Sequence, residues 1–211
     1  TRDNTLPNVF CQSQHTSPMT RSIYLASSSK YRRELLTRLQ LNFRCNAPQI
    51  DESPKPNEAP LDTCQRLARE KAMTVAQEHP AAIVIGSDQV ADVDGVAISK
   101  PGTHDRARAQ LRSMSGKTII FHTAVCVCCI ETGQTLEFTV PTSVEFRELN
   151  AAEIERYLIA EEPYDCAGSA KSEGLGISLL KRIESSDPTA LIGLPLIELS
   201  NALRQFEVTL P

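Results

Sequence analysis

The chain has no tryptophan, only nine glycines and thirteen prolines, and no apolar run long enough to cross a bilayer. So few glycines and prolines exclude a collagen-like or mucin-like chain. A spanning helix needs roughly 18 consecutive apolar residues, whereas the longest runs here, such as Ala81 to Ile85, have the length of a strand. No basic excess exists either. The net charge of −4 lacks the electrostatic footprint of a nucleic-acid-polymer binder, although a local basic pocket stays open. Near the N-terminus no basic stretch precedes an apolar core, and the seven cysteines are an odd number. Both features read as a reducing, cytoplasmic setting with no membrane partner.

What is present is a chain of 211 residues, 41% hydrophobic and 23% charged. That is one domain, or one two-lobed domain, with enough apolar mass for a core and too much for disorder. Residues 1–20 are polar and aperiodic and read as an N-terminal tail or extension, with Met19 a candidate natural start; residues 21–211 read as the folded domain. Short apolar strands are expected at 23–26, 43–45 and 82–85, the last stopping at Gly86-Ser-Asp-Gln89. Asp94-Gly95 marks a hairpin turn, and two longer strands follow at 118–130 and 136–147. Helical spacing predicts helices after Ser29, over about 60–77, at 103–114, from a capping box at Asn150 and Glu153 to about 160, and after Pro195. A strand is expected within 175–183. Strands alternating with helices, plus a hairpin-like pair, define a mixed α/β fold.

Two motifs invite chemistry they do not support. Cys126, Cys128 and Cys129 lie in the apolar run 124–130, without the separated C-x-x-C pairs of a zinc site, and read as core residues of a buried strand. Ser115-Gly-Lys-Thr118 looks like the end of a phosphate-binding P-loop. Leu111 stands where that loop needs its first glycine, and the segment ends a helix instead of opening one.

Other features point to a phosphate-bearing ligand. In Leu25-Ala-Ser-Ser-Ser-Lys-Tyr-Arg-Arg33 a strand ends, hydroxyl residues turn the chain, and two arginines enter the first helical turn. Cations there oppose the helix dipole, so they call for an anion nearby; otherwise they are ordinary surface arginines. Asp88 reads either as an acid at a strand end, where α/β sheets bind ligands, or as a turn former. Lys71 shares the apolar face of its helix with Leu67 and Val75, so its amine either snorkels to solvent or faces a cleft. Lys100 and Glu52 are surface residues by default. Glu52 is otherwise a candidate ligand for Mg²⁺, which favours one or two carboxylates plus substrate phosphates.

Together, Leu-Ala-Ser-x-Ser-x-x-Arg-Arg, an Asp-Glu pair, Ala-x-x-Lys-Ala, Gly-Ser-Asp-Gln, a Lys-Pro and Ala-Gly-Ser-x-Lys-Ser-Glu-Gly resemble the Maf family of nucleotide pyrophosphatases. The resemblance runs from about Arg21 to Phe206. It implies a fold like that of inosine-triphosphate pyrophosphatases, with a mixed sheet, two lobes around a deep cleft, and often a homodimer. It also implies hydrolysis of a nucleoside triphosphate between the α and β phosphates, with a divalent cation, Mg²⁺ or Mn²⁺. By the same resemblance Asp88 activates water, Lys71 and Lys100 join it as catalytic cations, and Ser27, Arg32 and Arg33 bind phosphate. Glu52 is a catalytic or metal-coordinating acid, with Asp88 as a second candidate ligand. Tyr31, Gln89 and Glu173 match the positions that distinguish substrate branches, and they resemble the 7-methyl-GTP branch. The position of Tyr31 is often Trp there; a tyrosine face still attracts the cationic base. The alternatives are a dTTP/UTP pyrophosphatase of the same family, or a nucleotide-binding regulator of cell division with little turnover.

Overall fold

A computed structural model describes residues 21–211. The expected tail and Met19 lie outside the described residues. Among the described residues no helix is long and apolar enough to cross a membrane.

Seven strands form one mixed sheet. β1 (Ile23–Ala26) pairs in parallel with β2 (Phe43–Cys45) and β3 (Ile83–Val93); β3 continues antiparallel to β5 (Thr118–Cys129), then β6 (Gln134–Phe146) and β7 (Leu180–Ser185). The short β4 (Val96–Ile98) turns back on β3 at Asp94-Gly95. Among the described residues five α-helices cover the sheet: α1 (Lys30–Thr37), α2 (Pro60–Glu78), α3 (His104–Met114), α4 (Ala151–Glu161) and α5 (Leu196–Gln205). Their starts follow local chemistry. Ser29 caps α1 through the Arg32 N–H, Thr103 caps α3, and Asn150 with Glu153 closes a full capping box on α4.

Separate cores make the two lobes. In the first, Leu35 and Leu36 of α1 and Leu199 and Leu203 of α5 pack on one sheet face against Ile23, Leu25, Ile83 and Ile85, while Ala72, Val75 and Ala76 of α2 cover Val84, Cys126 and Cys128 on the other. In the second, Leu111 and Met114 of α3 and Ile154 and Leu158 of α4 pack on Phe121, Val144 and Phe146. Cys126, Cys128 and Cys129 are buried strand residues, and among the described residues no cluster of three or more metal-ligating side chains exists.

The structure corrects two expectations. β3 does not stop at Gly86; it runs through Gly86-Ser-Asp-Gln89 to Val93. A Cβ on Gly86 would sit 2.3 Å from the Ala68 carbonyl oxygen and 2.6 Å from the Ala72 nitrogen. The glycine therefore lets α2 press onto the strand; it is not a turn. Gly86→Ala is expected to cost about 3 kcal/mol or more, at or above the top of the usual overpacking range, because backbone atoms must move; urea unfolding measures it, and an unchanged midpoint would refute this account. The second correction concerns residues 175–183. Leu175–Leu179 is a short 3₁₀ turn, and the strand occupies Leu180–Ser185. Within that turn a Cβ on Gly176 would lie 2.6 Å from the Lys171 backbone, so the glycine admits this close approach.

Candidate active site

The cleft follows from a gap in the sheet. β1 ends at Ala26, paired with Gly86, and β4 begins pairing only at Ala91. Between them, Ser87 to Val90 leave one edge of β3 unpaired by strand while β5 holds the other edge. Side chains alternate along a strand, so Asp88 faces α2 and Gln89 faces the opposite side. The cavity that opens at this edge is about 220 Å³ and reaches both.

On the α2 side, Thr63, Leu67 and Lys71 recur at helical spacing along the cavity wall. Lys71 is 6% exposed; its ammonium donates to Asp88 Oδ1 at 2.7 Å and forms an ion pair with Glu52 Oε1 at 2.9 Å. The amine thus faces the cleft and does not snorkel. Glu52 comes from the loop before α2. That loop is tied down by Arg66, which forks onto Glu58 at 2.6 and 2.8 Å and donates to the Ser53 carbonyl. Burial alone would raise the pKa of Glu52; the Lys71 bond and the charges of Lys71, Lys100 and Arg32 outweigh it and hold the carboxyl below its ordinary range. The exposed Lys100, after β4, lines the same cavity.

Arg32 lies across from them. Its Nε donates to the Gly193 carbonyl at 2.9 Å and a terminal nitrogen reaches Ser27 Oγ at 3.4 Å. Ser27 is buried behind the wall, also accepting from the Ser29 N–H. Arg33 is exposed and is not among the residues that line the cavity. Consecutive helix residues point about 100° apart, so the two arginines cannot share one face.

A second group gathers at Tyr31. Its hydroxyl donates to Asp165 Oδ1 at 3.3 Å, and Cys166 Sγ lies 3.7 Å away. Burial pushes the Tyr31 hydroxyl well above its ordinary value and the Cys166 thiol up to about 12, so both stay protonated at neutral pH. Glu173 lines the cavity here. It keeps one side open to solvent, yet the protein around it withdraws enough water to raise its pKa.

Gln89 completes the site. Its Nε2 donates to the carbonyls of Ala190 (3.0 Å) and Leu191 (2.9 Å) and lies 3.0 Å from Thr123 Oγ1. Two carbonyls can be met only by the amide nitrogen, so the flip is fixed. The amide oxygen remains as an acceptor at the cavity. Of the expected residues, Tyr31, Arg32, Glu52, Lys71, Asp88, Gln89, Lys100 and Glu173 share one cavity; Ser27 supports it from behind and Arg33 stands outside. Sequence reading assigned no site role to Asp165, Cys166 or the 190–193 loop.

A mixed α/β protein with a buried lysine between two carboxylates, a further arginine and lysine, and a polar group at the other end of the same cavity has the parts of a hydrolytic centre for an anionic, base-bearing substrate. The chain belongs to the Maf-like protein family, which it matches over residues 22–206. It is 57% identical over 189 residues to a protein of Aromatoleum aromaticum named 7-methyl-GTP pyrophosphatase, covering 90% of this chain and 97% of that one. Proteins of the same name from Ralstonia nicotianae (57% identical, 86% and 94% covered) and a Polaromonas species (53%, 92% and 89%) are also similar. Among solved structures, a HAM1 protein from Coxiella burnetii overlaps 60% of this chain and 73% of its own at 16% identity and a TM-score of 0.42.

Proposed function

We propose that this enzyme hydrolyses 7-methyl-GTP to 7-methyl-GMP and diphosphate. The observation that carries the base assignment is the pinned Gln89 amide, which leaves an acceptor oxygen in the same cavity as the Glu173 carboxylate. Guanine offers two adjacent donors, N1–H and the exocyclic amine, and two acceptors suit them. Thymine and uracil offer one N–H between two carbonyl oxygens. Methylation at N7 makes the base a cation, which the Tyr31 face and a carboxylate both favour.

For the phosphates, Arg32, Lys71 and Lys100 supply positive charge around one point, and phosphoryl chemistry depends chiefly on such positioning and charge stabilisation. Asp88 accepts the proton of an attacking water and orients it. Lys71 keeps the Asp88 carboxylate in a single rotamer through a 2.7 Å bond. The donor set also suits a divalent ion. Glu52 and Asp88 converge on one ammonium group, and two carboxylates that meet beside an anionic substrate are what Mg²⁺ or Mn²⁺ takes up. When bound there, the ion supplies charge compensation to the leaving diphosphate. The family resemblance extends the reading to a cytoplasmic homodimer with one domain at 21–211 behind a tail at 1–20; size-exclusion chromatography tests the oligomer.

Diphosphate release from a nucleotide panel tests the proposal. Turnover is expected to favour 7-methyl-GTP, to vanish on chelation and to return with Mg²⁺ or Mn²⁺. Equal or better turnover of dTTP or UTP would discard the base assignment and keep the chemistry. No turnover of any nucleotide would favour a binding protein.

A further inference from the structure

Three backbone carbonyls of one loop hold four side chains, of which Arg32 and Gln89 line the cavity. Gly193 O accepts from Arg32 Nε (2.9 Å) and Ser87 Oγ (3.1 Å). Ala190 O accepts from Thr123 Oγ1 (2.9 Å) and Gln89 Nε2, and Leu191 O from Gln89 Nε2 again. The loop thus aims the phosphate-facing arginine and the base-facing glutamine together. Its own shape is fixed from behind by Asp187, a carboxylate only 1% exposed and outside the cavity lining. Asp187 Oδ1 accepts from the Thr189 N–H at 2.9 Å and lies 2.7 Å from Thr189 Oγ1; Oδ2 accepts from the Ile197 N–H at 2.7 Å. Thr189 Oγ1 lies 2.8 Å from the Leu194 carbonyl and accepts from the Leu196 N–H at 2.8 Å. Pro195, at the N-cap of α5, makes no side-chain cap bond. Asp187 and Thr189 therefore cap that helix from outside it, and the carboxylate complements its dipole. The cap closes the two ends of the 190–193 loop onto a rigid helix buried in the first lobe.

We infer that Asp187, through Thr189, is a positioning residue that sets the carbonyls orienting Arg32 and Gln89, and so couples phosphate binding to base selection. The selectivity part of this assignment rests on the proposed function above; the geometric part does not. Its chemistry is specific. Asp187 fills both carboxylate oxygens with donors, whereas an amide of the same shape puts an NH₂ against either Ile197 N–H or Thr189 N–H. A sub-ångström tilt of the loop then turns the Gln89 amide, and misplacement of about 1 Å is enough to cost on the order of a hundred-fold.

The test compares Asp187→Asn, Thr189→Val and Thr189→Ser, the last retaining the hydroxyl. The side-chain amide NMR signal of Gln89, assigned by its loss in Gln89→Ala, is expected to shift in Asp187→Asn and Thr189→Val and to stay in Thr189→Ser. In steady-state kinetics, Asp187→Asn is expected to lower kcat/KM on the preferred nucleotide by roughly ten- to a hundred-fold. Adding Gln89→Ala to it should cost little more, because one orientation cannot be lost twice. A lowered melting temperature with an unmoved Gln89 signal, or fully additive losses, overturns the assignment. If Asp187→Asn does not fold, the Thr189 pair carries the same comparison. A wild-type enzyme that prefers another nucleotide removes the 7-methyl-GTP reading alone, since the NMR shift and the Asp187–Gln89 coupling are read regardless of which base is favoured.

Discussion

Asp88→Asn is expected to lower kcat for diphosphate release by on the order of 10²- to 10⁴-fold, the usual contribution of a positioned general base. The substitution is nearly isosteric. Asparagine keeps an oxygen that can accept from Lys71, whose ammonium stands 2.7 Å from Asp88 Oδ1 in the wild type. The main chain is also secured independently of the side chain. Asp88 pairs with Ala124 across β3 and β5, inside a continuous antiparallel ladder. Folding should therefore survive, and the loss should appear in kcat more than in KM, because the proposed site assigns ground-state binding to Arg32, Lys71 and Lys100. Lys71→Met provides a contrast. It removes the ammonium that joins Asp88 to Glu52 and one of the three cations assigned to the phosphates, so KM should rise along with the fall in kcat. Stopped-flow or coupled diphosphate detection on both variants separates the two patterns. Full turnover by Asp88→Asn would remove Asp88 from the chemistry and leave the fold assignment untouched.

Much of this architecture was legible because its signals are local. Ser29 and the Asn150–Glu153 pair are caps whose partners lie three residues away, and each is realised where the spacing placed it. Lys71 was legible as a residue on an apolar face, but spacing could not decide between solvent and cleft. That choice depends on Asp88, seventeen residues on and in the strand against which α2 packs. Gly86 misled for a physical reason. A glycine inside an apolar run reads as a break, and its actual role, admitting the backbone of α2, is a tertiary contact. The paired arginines were legible only as a pair: motif matching gives both a role, and in the structure Arg32 lines the cavity while Arg33 does not. Asp187 lay in Ser-Ser-Asp-Pro-Thr, which reads as an ordinary turn. Nothing in that segment announces that its carboxylate caps a helix ten residues later.

Glu173→Gln should reduce kcat/KM for 7-methyl-GTP by roughly ten- to a hundred-fold while sparing dTTP, since a hydrogen bond to a charged group contributes about 1.5–3 kcal/mol. The pH dependence gives the sharper signature. Burial, the largest influence, raises the pKa of Glu173, with Glu161 adding to the rise and Lys171 opposing it. Only the ionised carboxylate attracts the cationic base, so protons compete with 7-methyl-GTP. KM for that nucleotide should climb as pH falls through a value above the ordinary glutamate pKa of ~4.3. The neutral base of dTTP should show no such limb, and Glu173→Gln should abolish it. Stability carries the opposite sign. An acid whose pKa is raised by folding binds its proton more tightly in the native state, so its contribution is greatest below the unfolded pKa and is lost as pH rises through the folded one. Ionised Glu173 thus works against the fold at neutral pH, and Glu173→Gln should raise the melting temperature there while selectivity drops. A more stable yet less selective enzyme cannot be explained by misfolding, whereas equal losses on 7-methyl-GTP and dTTP would show that Glu173 shapes the pocket without reading the base.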